Sequence, residues 1–272
     1  MLDLETFALD SSQRFPHQFK LLPTQDLVAD SVAELLEQRL LQRLRKTCAK
    51  PLGLATGRTM QPIYNRLTAR LRSWPSGELD RLRQTWLSFN LDEYVGLDRS
   101  DQSSFAAFMH KHLVRPLALP PKKVLIPDGG LADRELEAQD YVRKLQRAGG
   151  IGVQLLGLGA NGHIGFNEPP CSADAACRVV DLSESTRQQN ADSFQGDPSQ
   201  VPRQAITLGL KEILEAEEIH LVVTGTSKAN ILKALLQSSS SDHLPASWLR
   251  RHHNVWLWTD PQAIKLLALD NS

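Results

Sequence analysis

The sequence predicts an α/β protein with a doubly wound, mostly parallel, Rossmann-like sheet in a single domain. Six short apolar runs lack polar alternation, which is typical of strands buried on both faces of a sheet. These runs alternate with segments of helical periodicity, and that alternation indicates a parallel sheet flanked by helices. At 272 residues the chain is long enough to bury such a core.

The candidate strands are "PLGLAT", "WLSFNL", "KVLIPD", "VQLLGLG", "IHLVVTG" and "VWLWTD", which begin at residues 51, 86, 123, 153, 219 and 255. Three segments between them, 26–47, 132–148 and 227–236, have apolar residues at helical spacing. No change of composition marks a linker. We therefore predict a loosely attached tail over residues 1–20 and one domain over residues 21–272.

Composition excludes several function classes. The formal net charge is +0, so no basic excess attracts nucleic acid or an acidic membrane surface. Three cysteines are too few for a disulfide framework and favour a reducing compartment. The N-terminus carries acids where a signal peptide needs an apolar region, and no apolar run approaches the roughly 20 residues of a membrane span. We expect a cytoplasmic protein that binds neither nucleic acid nor membrane.

Polar stretches follow four of the predicted strands. They are "LATGRT" (54–59), "FNLDEYVG" (89–96), "GLGANGHIGFNEP" (157–169) and "VTGTSKA" (223–229). Ligands of doubly wound sheets bind outside the carboxyl ends of the strands. The four stretches are therefore predicted to meet in one site.

The first and last of these stretches suit an anion. Thr56, Gly57, Arg58 and Thr59 combine hydroxyls, a guanidinium and a helix N-terminus, and Lys228 adds a positive charge. This composition favours a phosphate group. The alternative for residues 56–59 is an ordinary turn in which Thr59 caps the next helix. The alternative for Lys228 is a solvated lysine in the first turn of a helix. The glycine-rich patterns of nucleotide-binding loops, G-x-x-x-x-G-K-[ST] and G-x-G-x-x-G, are both missing from residues 54–59, so no nucleotide is indicated.

The two middle stretches hold candidate proton-transfer groups. Burial of Asp92 would raise its pKa and make it a usable base, and Glu93 beside it is predicted to contact substrate. His163 titrates near neutrality, and Glu168 could orient its imidazole. Surface acids and a surface histidine are the alternative. No metal-ligand spacing appears, and no metal is predicted.

Together the motifs resemble the glucosamine-6-phosphate deaminase family, within the group that includes the 6-phosphogluconolactonases. "FNLDEYVGL" and "GLGANGHIGFNEP" carry the resemblance most strongly. The lactonase branch shares a Gly-His loop but typically lacks both "FNEP" and "FNLDEYVG". The resemblance implies that the chain converts D-glucosamine 6-phosphate and water into D-fructose 6-phosphate and ammonium. Such an enzyme of amino sugar metabolism, of the isomerase or hydrolase type, needs no metal or organic cofactor.

The resemblance also implies residue roles. Asp92 matches the carboxylate that moves a proton between C2 and C1, and His163 matches the ring-opening residue, with Glu168 as its partner. Asn161 stands where many members carry an aspartate. The phosphate is expected against residues 56–59 and Lys228.

One further departure affects the phosphate end. Asp192 falls where the family often places a phosphate-binding arginine. We predict that Arg58 supplies a guanidinium instead, while Asp192 turns to solvent or pairs with a base. Three functions stay open: the deaminase, a related hexosamine-phosphate deaminase or lactonase-like hydrolase, and a non-catalytic sugar-phosphate sensor. The expected partner is a small sugar phosphate, and the expected assembly is a monomer or small homo-oligomer.

Overall fold

The computed structural model describes residues 15–46 and 49–267, and its centre is a seven-stranded sheet flanked by helices. The strands are β1 (Gln18–Leu21), β2 (Leu52–Leu54), β3 (Ser88–Asn90), β4 (Asp92–Tyr94), β5 (Val124–Leu125), β6 (Val153–Gly157), β7 (Arg178–Asp181), β8 (Gln204–Thr207), β9 (Glu218–Val223) and β10 (Val255–Thr259). The α-helices are α1 (Gln25–Leu44), α2 (Met60–Arg72), α3 (Ser76–Thr85), α4 (Phe105–Met109), α5 (Arg115–Leu117), α6 (Arg134–Arg147), α7 (Glu184–Asn190), α8 (Leu210–Leu214) and α9 (Ala229–Gln237). A π-helical turn joins α4 to α5, and short 3₁₀ turns include Ala191–Phe194 and Thr226–Lys228.

The seven-stranded sheet confirms the predicted fold class. Its order is β1-β10-β9-β6-β2-β3-β5, and every neighbouring pair is parallel. All six predicted strands lie in it. Every residue of β2, β3 and β9 is buried, as expected of strands covered on both faces, although β3 and β9 also bury polar residues such as Asn90 and His220.

The three predicted helices are present with small shifts of their ends. The hydroxyl of Thr24 accepts the Leu27 N–H and fixes the start of α1, and Asp133 does the same for α6. The segment predicted at 26–47 ends as a helix at Leu44, and Thr47 lies outside the described residues. The segment predicted at 227–236 begins with one 3₁₀ turn before α9.

The predicted tail is wrong at its inner end. Residues 1–14 lie outside the described residues, but β1 pairs in parallel with β10 and forms an edge of the large sheet. Its alternating exposure, with Gln18 and Lys20 facing outward among apolar neighbours, is that of an edge strand covered on one face. An alternation of exposed and partly buried residues over four positions is too short to predict a strand from the sequence.

A second, three-stranded sheet was not predicted. It has the order β4-β8-β7, and both pairs are antiparallel. Tyr94, Phe166, Phe194 and Val201 form a small apolar cluster with it, apart from the main core. This sheet positions one wall of the candidate site. In the described part of the chain, no helix combines the length and apolar character that crossing a membrane requires.

Candidate active site

A cavity of about 610 Å³ opens at the carboxyl ends of β2, β3, β6 and β9. All four polar stretches contribute to its wall, as the position of ligand sites in doubly wound sheets predicts. Of the predicted site residues, those lining it are Thr56, Gly57, Arg58, Thr59, Asp92, His163 and Lys228.

Asp92 is a buried carboxylic acid at the start of β4. It is 6% exposed and faces the cavity. Burial raises the pKa of Asp92 to about 8, and the charge of neighbouring Glu93 adds to the rise. The group therefore keeps its proton near neutrality, and it becomes a strong base once the proton is lost.

Glu93 was predicted to bind substrate, and the structure places it elsewhere. Successive side chains of a strand point to opposite faces, so Asp92 and Tyr94 line the cavity while Glu93 points away from it. Its carboxylate accepts the backbone N–H groups of Tyr94, Phe105 and Ala106 at 2.8–2.9 Å. Glu93 thus fixes the start of α4 against β4.

His163 is held by Asn161. The imidazole Nδ1–H donates to Asn161 Oδ1 at 2.7 Å, and the same oxygen accepts the His163 backbone N–H at 3.2 Å. The backbone N–H can donate only to the oxygen of the Asn161 amide, so Oδ1 is the atom that faces His163. An amide oxygen only accepts hydrogen bonds, so Nδ1 carries the proton and Nε2 is left as an acceptor. Burial lowers the pKa of His163 to about 4, the charge of Glu168 opposes that fall, and the charge of Lys228 adds to it. The imidazole is neutral at physiological pH.

A glycine makes room for this imidazole. A Cβ built on Gly159 would lie 2.2 Å from Cε1 of the His163 ring, a distance that real contacts exclude. The glycine-rich loop therefore lets the backbone approach the ring closely enough to hold it in place.

Glu168 was expected to orient His163, and the structure corrects that expectation. Its carboxylate accepts the Ser183 N–H at 3.3 Å and lines a second cavity of about 320 Å³, shared with Arg178. The loop turns through Gly165, which has a φ of +58°, and carries Glu168 to the far side of the cavity wall. Asn161 supplies the hydrogen bond, and Glu168 acts on the imidazole through its charge.

The loop that carries His163 is tied to the strand that faces Asp92. The Phe166 N–H donates to Thr207 Oγ1 at 3.1 Å, and Asn167 Nδ2 donates to Leu208 O at 2.9 Å. Thr207 pairs with Asp92 across β4 and β8. One hydroxyl therefore joins the two candidate proton-transfer groups through the backbone.

The opposite end of the cavity is cationic. Lys228 is half-buried there, and burial, followed by the charge of Arg58, lowers its pKa. Among residues 15–46 and 49–267, no carboxylate lies within 4.0 Å of its Nζ. The Thr59 side chain makes no capping bond to α2, so its hydroxyl stays available to a ligand. A half-buried ammonium without a counter-ion favours an anionic ligand.

Arg58 forms an ion pair with Asp192 at the mouth of the cavity. The sequence led us to expect Asp192 either in solvent or paired with a base, and the base is Arg58 itself. Both side chains line the cavity.

The wall of the cavity that α7 and the turn after it form was not predicted from the sequence. Gln189 and Asn190 of α7 and Ser193 of the following turn also line the cavity. Gln189 Oε1 accepts the Ala160 N–H at 3.0 Å, which fastens α7 to the His163 loop. The hydrogen bond that fastens α7 joins residues far apart in the sequence, so no local pattern could have found this wall.

The chain matches the family model described as glucosamine-6-phosphate isomerases/6-phosphogluconolactonase over residues 23–258. Among similar proteins, a glucosamine-6-phosphate deaminase of Oceanobacillus iheyensis is 38% identical over 246 residues, which cover 90% of this chain and 95% of that protein. Glucosamine-6-phosphate deaminase 2 of Bacillus subtilis is 42% identical over 217 residues, covering 79% and 85%. These relatives support the isomerase and deaminase descriptions and give no support to the hydrolase class.

Solved structures agree on the fold. A monomeric glucosamine-6-phosphate deaminase superposes with a TM-score of 0.83 at 32% identity, covering 92% of this chain and 99% of that one. The 6-phosphogluconolactonase of Leishmania guyanensis superposes with a TM-score of 0.69 at 23% identity, covering 90% and 97%, a likeness in fold alone.

Proposed function

The chain belongs to the glucosamine-6-phosphate isomerase/6-phosphogluconolactonase family, and we propose that it is a glucosamine-6-phosphate deaminase. It converts D-glucosamine 6-phosphate and water into D-fructose 6-phosphate and ammonium. One observation carries the proposal: a buried carboxyl group, Asp92, shares a cavity with a neutral imidazole, His163, and with the ammonium of Lys228, which has no carboxylate partner among the described residues. A sugar-phosphate binder needs the third of these groups, whereas proton transfer at carbon needs all three.

The phosphate lies against Lys228 and the hydroxyls of Thr56 and Thr59. A dianion in a partly dry cleft needs cationic partners, and Lys228 is available for that role. Its binding energy holds the reacting carbons at the other end of the cavity.

His163 opens the sugar ring. Its Nε2 accepts the proton of the C1 hydroxyl and returns it to the ring oxygen, so that the C1–O5 bond breaks and the aldehyde forms. This transfer requires a neutral imidazole with a fixed tautomer, which burial and Asn161 provide.

Asp92 then moves a proton between neighbouring carbons. Its carboxylate takes the proton from C2 of the open-chain sugar and delivers it to C1, while one proton of the substrate's own ammonium passes to the C1 oxygen, which leaves a ketimine at C2. Water adds to the ketimine and ammonia leaves. The substrate carries its own ammonium at C2, and a cation at this distance lowers the pKa of a buried carboxyl group, so the substrate helps to ionise its base.

The test is a product assay. With glucosamine 6-phosphate the protein should release ammonia and fructose 6-phosphate in equal amounts, and Asp92→Asn should abolish both. 6-Phosphogluconolactone and galactosamine 6-phosphate are assayed in parallel. Lactone hydrolysis without ammonia release would assign the hydrolase function, ammonia from the galactosamine ester alone would assign the related deaminase, and binding without turnover would leave a sensor.

A further inference from the structure

An ion pair closes part of the mouth of the cavity. Arg58 lies on the turn between β2 and α2, and Asp192 lies on the 3₁₀ turn that follows α7. Their side chains are 77% and 69% exposed, and both line the cavity beside the groups that we assign to the phosphate. The pair thus joins two walls that are far apart in the sequence.

The pair changes the charge of the phosphate end. Arg58 is near enough to Lys228 for its charge to lower the pKa of that ammonium. Two cations therefore face this end of the cavity, and the ion pair with Asp192 neutralises one of them. The other, Lys228, has no carboxylate partner in the described part of the chain.

The exchange of partners is energetically accessible. An exposed ion pair contributes little to stability, because water and salt screen it and two long side chains must be ordered. A phosphate dianion bound at Lys228 offers more charge and more acceptor oxygens than one carboxylate. A planar guanidinium can bind phosphate through two parallel hydrogen bonds, whereas Arg58 donates a single one, from Nη1, to Asp192.

We propose that Asp192 is a specificity-determining residue that occupies Arg58 in the empty site and gives it up to the phosphate of the substrate. Only a ligand that outcompetes the Asp192 carboxylate gains the Arg58 guanidinium, so the pair selects dianionic phosphate esters over neutral and monoanionic sugars. This inference takes the identity of the sugar from the proposed function. The competition between the Asp192 carboxylate and phosphate for Arg58 does not depend on that function.

The test is a double-mutant cycle on binding of inorganic phosphate. Titration calorimetry at pH 7.5 and low ionic strength compares the wild type with Arg58→Ser, Asp192→Asn and the double variant. We expect Arg58→Ser to raise the Kd about tenfold or more, in the range of a charged hydrogen bond. Asp192→Asn should lower the Kd about two- to fivefold, in the range of an exposed ion pair. In the Arg58→Ser background that gain should vanish.

Two controls accompany the cycle. Asp140→Asn removes the acid of another partly exposed Asp–Arg pair, on α6 and outside the cavity wall, and should leave the Kd unchanged. Arg58→Lys keeps the charge without the planar fork and should give an intermediate Kd. If Arg58→Ser does not fold, Arg58→Gln replaces it in the cycle, because glutamine also removes the positive charge.

Three results would overturn the proposal. An equal gain from Asp192→Asn in both backgrounds would mean that the carboxylate merely repels anions. Weaker phosphate binding in Asp192→Asn would mean that the pair braces the cavity, and an unchanged Kd in Arg58→Ser would remove Arg58 from the site. Because phosphate binding is measured without turnover, failure of the deaminase assay is a separate outcome.

Discussion

At the scale of single residues, burial works on two groups in opposite directions. It raises the pKa of Asp92 to about 8 and lowers that of His163 to about 4. Both groups are therefore mainly uncharged near pH 7. Entry of a substrate with a phosphate and an ammonium changes that balance at both ends of the cavity.

The Asp92 shift predicts a stability change. The folded state holds this proton up to about pH 8, whereas the unfolded chain releases it near the ordinary value of 3.8, so ionisation of Asp92 lowers stability as pH rises between these values. Asp92→Asn cannot ionise. Its free energy of unfolding should exceed that of the wild type by a margin that grows with pH, at no more than roughly 1.4 kcal/mol per unit. Urea unfolding at pH 5 and pH 8 measures the margin, and an equal margin at both values would contradict the assignment.

The contact between Asn161 and His163 predicts a second shift. Asn161→Asp places a negative charge 2.7 Å from Nδ1 and should raise the imidazole pKa well above the wild-type value of about 4. NMR titration of the His163 ring carbons measures both values. Asn161→Ala, which removes the oxygen without adding charge, is the matched control, and a wild-type-like titration in Asn161→Asp would argue against the contact.

At the scale of elements, β8 connects the two proton-transfer groups. Thr207 pairs with Asp92 and accepts the Phe166 N–H at 3.1 Å. Thr207→Val keeps the shape and leaves that N–H unpaired, which costs about 1–3 kcal/mol and frees the His163 loop. We expect a lower melting temperature and a kcat reduced at least tenfold with little change in KM. Thr207→Ser retains the hydroxyl and should stay close to the wild type, and equal loss in both variants would place the effect in packing.

The same scale explains what the sequence predicts and what it hides. Strands such as β2 are fully buried and have continuous apolar sequences, so the large sheet was predictable. The segment "DEY" of β4 is three residues long and polar, and it carries no strand signal. Without that strand, the opposite directions of Asp92 and Glu93 could not be derived. The distant hydrogen bond from Ser183 to Glu168 likewise has no local signature.

At the scale of the whole molecule, the state of assembly depends on how much apolar surface the chain exposes. The large apolar side chains that are exposed among residues 15–46 and 49–267 are Leu27, Leu131 and Leu136, too few for an extensive apolar interface. We predict an active species of single-chain mass with hyperbolic kinetics. Sedimentation velocity and initial rates at matched protein concentrations test this, and activity that rises with an oligomer would contradict it.

The central claim is that Asp92 carries a proton from C2 to C1, and solvent deuterium tests it most directly. In deuterium oxide the wild type should introduce deuterium at C1 of fructose 6-phosphate, because part of the Asp92 carboxyl proton exchanges with solvent after it is taken from C2 and before it is delivered to C1. Asp92→Asn should lose this exchange while still binding the sugar phosphate. His163→Gln should keep exchange that starts from open-chain fructose 6-phosphate and lose reaction from cyclic glucosamine 6-phosphate. Exchange that persists in Asp92→Asn, or that disappears equally in both variants, would contradict this division of roles.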